Sequence, residues 1–127
     1  KKVFYEAGCA SCHRPKYVTR NDVADPALRF QLIWPYTDML LHDMGEDLAD
    51  HRSEGSADGY EWRTPPLWGI GLSKVVNDEA AFLHDGRART LLEAVLWHGG
   101  EAQAARDRVV EMDKQDRDNL IRFLESL

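Results

Sequence analysis

The clearest apolar rhythm lies at the C-terminus. Leu120, Phe123, Leu124 and Leu127 fall at i, i+3, i+4 and i+7, one face of a helix, and Asp113 stands where its N-cap belongs. Upstream, Thr90-Leu91-Leu92-Glu93 spells a capping box, and Gly99-Gly100 end the helix it opens. Ala102 to Met112 forms another helical stretch, and residues 1–8 (KKVFYEAG) have helical composition. The middle of the chain is less regular. Residues 14–30 hold two prolines and no period, and predict a loop. Residues 38–44 (DMLLHDM) predict one or two helical turns ended by Gly45. Residues 46–62 are polar, with Gly55 and Gly59, and predict a surface loop. In residues 63–72 (RTPPLWGIGL), Pro65 and Pro66 forbid regular helix, and the segment predicts a buried, extended run. Strand signals are weak everywhere, so the expected class is all-α.

Size and charge narrow the choices. A chain of 127 residues suits one domain, and a bound cofactor would help so small a core. The formal net charge of −6, with signs mixed, argues against nucleic acid. No apolar run reaches the ~18–20 residues of a membrane span. No signal peptide stands at the start. The chain opens at Lys1 inside a helical stretch, which reads as a mature protein or a piece of a longer one.

The only two cysteines are three apart, and residues 9–13 read Cys-Ala-Ser-Cys-His. Thiols at that spacing share one face of a helical turn and can add to two vinyl groups along one porphyrin edge. His13 lies on the same face and can reach the iron. Structural zinc would need four Cys or His ligands, and no second close pair exists. Thioredoxin-like chemistry would need a βαβ setting, which is absent. A short helix before the motif and an apolar helix at the end are the layout of a haem-c domain. One haem c, covalent through Cys9 and Cys12 with His13 on the iron, is therefore expected.

Three further segments extend this reading: PYTDMLLHDMG at 35–45, RTPPLWGIGL at 63–72 and FLHDGRARTLLEAVLWHGGEA at 82–102. With GCASCHRP at 8–15, the chain resembles the C-terminal haem domain of a di-haem c-type oxidoreductase family, thiol oxidoreductase-like and related to bacterial di-haem cytochrome c peroxidases. The resemblance implies a cytochrome-c-like helical fold over residues 1–127 and electron transfer. It implies a periplasmic or other extracytoplasmic home. It also implies a redox protein partner, or a second haem domain in the same parent chain.

In the peroxidases, a methionine follows a His-Asp-Gly block and binds the iron. Here the block is His84-Asp85-Gly86, and the corresponding position holds His98. This departure points to bis-histidine ligation by His13 and His98, with Gly99 and Gly100 letting the backbone approach a flat ligand. Met44 is the rival sixth ligand, Met39 and Met112 fit apolar core positions, and an open site is a further option. Arg63, Arg87 and Arg89 are candidate partners for haem propionates. Pro65, with Pro66, is a candidate wall beside His13, and His84 a candidate haem neighbour. His42 reads as a surface or capping residue beside Asp43, and His51 as exposed. Trp62, Trp68 and Trp97 read as core or haem-packing aromatics. The expected function is electron transfer through the haem. A peroxidase-like enzyme with an open-site haem is the alternative, and a haem-based sensor a third class.

Overall fold

The C-terminal stripe packs as its spacing predicts. A computed structural model describes all of residues 1–127 and places a helix, α5, over Lys114–Leu124. Leu120 and Leu124 are buried on it, and α5 lies against α1 (Lys2–Glu6) and α3 (Leu91–Leu96). Phe4 of α1 is 2% exposed and meets the rings of Phe123 and Tyr36 edge-on, with centroids 5.2 and 5.9 Å away. Val3, Ala7, Leu67 and Val109 complete this core. Val109 comes from α4 (Gln103–Glu111), and a one-turn helix, α2, spans Ser73–Val76.

The helix starts follow the local chemistry. Thr90 Oγ1 accepts from the Glu93 amide at 3.0 Å, and Glu93 returns a carboxylate oxygen to the Arg89 amide at 2.8 Å, one residue before the cap. Asp113 accepts from the Asp116 amide at 2.8 Å.

The fold is not all-α. Helix, with 3-10 turns included, makes up 39% of the chain and strand 11% with isolated bridges counted, and the strands form two small antiparallel sheets. The first sheet pairs β1 (Tyr17–Val18) with β2 (Leu32–Ile33), inside and just beyond the segment expected to be loop. The second pairs β3 (Leu41–Asp43) with β4 (Glu61–Arg63), so that Leu41, His42 and Asp43 face Arg63, Trp62 and Glu61. The predicted helical turn at 38–44 is thus a strand. Its side chains take the amides a helix would need. Thr37 Oγ1 accepts from Met39 N–H, and Asp38 Oδ1 accepts from Leu40 N–H. Met39 itself has φ +64°, outside helical space, and is 56% exposed rather than core.

Two other expectations change. Leu48, inside the predicted surface loop, is buried on a 3-10 turn over Glu46–Leu48. Trp68 is 56% exposed because it stands in a turn, closed by the Ile70 amide on the Leu67 carbonyl at 3.1 Å, while Leu67 is buried. Gly99 and Gly100 make room for backbone. A Cβ on Gly99 would lie 2.8 Å from the Met44 carbonyl oxygen, and one on Gly100 would collide with that of Asp43. No helix is long and apolar enough to cross a membrane.

Candidate functional site

The Cys-x-x-Cys-His run follows α1 directly. Gly8, at φ +89°, turns the chain into a 3-10 turn over Cys9–Ser11. The His13 amide then donates to the Cys9 carbonyl at 3.0 Å, which stacks His13 over Cys9. Arg108 of α4 clamps the entry to the turn by donating to the Ala7 carbonyl at 3.0 Å. Both thiols are free. Burial pushes Cys9 up to about 11. Burial, then Asp38 and Glu101, pushes Cys12 up as well. Reactive dithiols work the other way, by lowering thiol pKa values.

His13 Nδ1 donates to the Tyr36 carbonyl at 3.0 Å, and burial lowers its pKa to about 4. His98, two residues past the end of α3, donates Nδ1 to the Ala94 carbonyl at 2.7 Å. Burial lowers its pKa too, against the pull of that bond. A carbonyl can only accept, so both rings carry the proton on Nδ1 and keep Nε2 as a free lone pair. The two ring centroids are 6.4 Å apart, with planes at 47°. Imidazole nitrogens each ~2 Å from one metal ion, on opposite sides of it, put ring centroids about 6.3 Å apart. The donor set therefore fits a single metal ion held between two neutral histidines. His98 lies at about this distance from His13.

The other candidates are placed less uniformly. Arg87 is committed elsewhere, to Asp85 at 2.6 Å, to the Asp47 carbonyl and to the face of Trp97 at 4.8 Å. Arg63 has no acidic partner and lies 3.8 Å from the Met39 sulfur. Pro65 and Arg89 are exposed. His84 is exposed and stacks on Trp62, with centroids 3.5 Å apart and planes at 11°. Trp62 Nε1 is buried with no hydrogen-bond partner in the chain. Buried donors are rarely left alone in folded proteins, so this one points to an acceptor that the chain does not supply.

Sequence reasoning missed a cluster beside Cys12. His42 does not pair with Asp43. Its Nε2 lies 2.8 Å from Asp38, its Nδ1 2.8 Å from Glu101, and its Nδ1 3.9 Å from Cys12 Sγ. The Glu101 bond leads in holding its pKa up. The only local hint was Asp38 four residues before His42. Glu101 lies 59 residues away, and nothing in the pattern links the two. Cys12, Asp38 and His42 could offer three donors to a metal, but Cys9 is not among them, so the closed four-ligand zinc reading is not met.

No curated protein and no solved structure matches the chain. The family model described as "di-haem oxidoreductase, putative peroxidase" matches residues 1–127. The whole chain is covered, and the protein belongs to this di-haem oxidoreductase family.

Proposed function

We propose that this chain is a one-haem electron-transfer domain of its family. The observation that carries the reading is the His13–His98 pair, two neutral imidazoles 6.4 Å apart with both Nδ1 atoms tied to backbone carbonyls. Cys9 and Cys12 would anchor the haem as thioethers, and His13 and His98 would take the two axial positions. A bound haem supplies a one-electron iron couple. The chain's residues do the rest. Tyr36 and Ala94 fix the ring orientations of the two histidines, and the Phe4 core at the foot of His13 keeps water away. Trp62 Nε1 offers a donor to a propionate carboxylate. With His13 and His98 both on the iron, the potential would lie below that of a His–Met cytochrome.

Only one Cys-x-x-Cys-His occurs here, in a family named for two haems. The natural exchange partner is a second haem domain or a separate redox protein, outside the cytoplasm. A second reading is peroxidase chemistry at an open haem position. One observation favours it, the Asp38–His42–Glu101 acid–base group, whose His42 Nδ1 lies 3.9 Å from Cys12 Sγ.

The test is near-infrared magnetic circular dichroism with electron paramagnetic resonance on the oxidised haem-loaded protein. Low-spin bis-histidine signatures are expected. A His–Met charge-transfer band would move the sixth ligand to Met44, and a high-spin signal would favour the peroxidase reading.

A further inference from the structure

The charge along this acidic chain is sharply uneven. Residues 1–34 hold six Lys or Arg against three Asp or Glu, while residues 35–127 hold ten against nineteen. Within the first group, Lys2 pairs with Glu6, Arg20 pairs with Asp22, and Arg29 donates to the Val23 carbonyl. Lys1, Arg14 and Lys16 have no acidic partner. They converge instead on aromatic faces. Lys1 and Lys16 sit 5.3 and 5.6 Å from the Trp34 ring, and Arg14 sits 5.0 Å from the Tyr17 ring.

These three cations, with Tyr5, Pro15 and Trp34, line a cavity of about 420 Å³ that contains no acidic residue. Trp34 is 41% and Tyr5 45% exposed, and Leu32 and Val18 extend the apolar surface along β1 and β2. Exposed aromatics and arginine are enriched at protein-docking surfaces, and unpaired cations around them give such a surface charge complementarity to an acidic partner. Its position bears on electron transfer. Arg14 directly follows His13, and its carbonyl accepts from the Thr37 amide at 3.0 Å, beside the Tyr36 carbonyl that orients His13.

We propose that this patch docks the acidic face of a one-electron carrier protein. The proposal rests on the electron-transfer reading above. The overall charge of −6 would repel such a partner, so only a local cationic surface could steer it in. In the exchange, one electron leaves the reduced carrier and enters this chain, and no bond forms or breaks.

A reduced plant-type ferredoxin, an acidic one-electron donor, serves as the probe, with stopped-flow absorbance of the haem-loaded protein as the readout. The second-order rate constant should fall at least about tenfold from low to high salt. Lys16→Glu, and the double variant Lys1→Glu with Lys16→Glu, should cause a comparable loss at low salt. Lys114→Glu, at an exposed position on α5 that does not line the patch, should stay within about twofold. A rate that rises with salt, or that Lys16→Glu leaves unchanged, would overturn the proposal. Binding to ferredoxin immobilised on a sensor surface is measured in parallel and needs no haem signal. A chain without haem absorbance would sink the electron-transfer reading, while the sensor would still decide docking. Binding to anionic phospholipid vesicles without binding to ferredoxin would reassign the patch to a lipid surface and also overturn it.

Discussion

Replacing Trp62 by Phe gives two outcomes of opposite sign. The substitution removes the indole N–H but keeps a ring to stack on His84, which lies 3.5 Å away and nearly parallel. Nε1 is buried and has no partner in the chain. If a propionate carboxylate accepts from it, the bond is charge-assisted and contributes about 1.5–3 kcal/mol. Losing that bond should lower the urea stability of the haem-loaded protein by about this amount. It should also raise the pKa of the accepting carboxylate by about 1–2 units, at 1.36 kcal/mol per unit. The second effect is read from the pH dependence of the reduction potential, whose inflection should move to higher pH. If instead Nε1 is truly alone, deleting a buried unsatisfied donor relieves about 1–3 kcal/mol, and stability rises. A stabilised variant with an unchanged potential–pH curve would refute the assignment.

Four further outcomes follow from the same geometry. His98→Met should raise the reduction potential, because thioether ligation favours the reduced iron, and potentiometric titration reads the sign. Phe4→Ala should cost about 3–5 kcal/mol in urea unfolding, since the ring is almost wholly buried against Phe123 and Tyr36. Thr90→Ala should cost about 1 kcal/mol by removing the cap on the Glu93 amide, measured the same way. His42 has a raised folded pKa, so its contribution is complete below its unfolded value of 6.5 and is lost as pH rises through the higher folded value. His42→Gln should therefore narrow the stability gap between mildly acidic and alkaline pH, seen in unfolding curves at both.

Local chemistry was legible in the sequence, and long-range pairing was not. The caps at Thr90 and Asp113 and the stripe on α5 are decided within four residues of themselves, and they form where the pattern places them. The Cys9–His13 turn is equally local. β3 failed because its partner β4 lies about twenty residues away, beyond a polar loop, and the leucines of 38–44 look helical in isolation. The β1–β2 pairing failed for a related reason, since strands of two residues leave almost no periodicity to detect. The same limit applies at the site. His98 is singled out by its spacing from a motif, but the Asp38–His42–Glu101 cluster needs three-dimensional proximity. Trp62 was read as a packing aromatic, and only the fold isolates its nitrogen.

The close contact of Gly99 and Gly100 with the end of β3 affects how this region moves. Glu101 accepts from the Asp43 amide at 3.1 Å as well as meeting His42, so residues 38–45 and 98–102 are joined by backbone contact and by side chain. Segments bound in this way open together. Their amides should form one cooperative unit in native-state hydrogen exchange, with Met44 and Ala102 exchanging at a shared free energy although 58 residues separate them in sequence. The polar stretch around Gly55 lies outside that unit, and it is the place where extra residues could be spliced in while the spacing between His98 and His42 stays fixed.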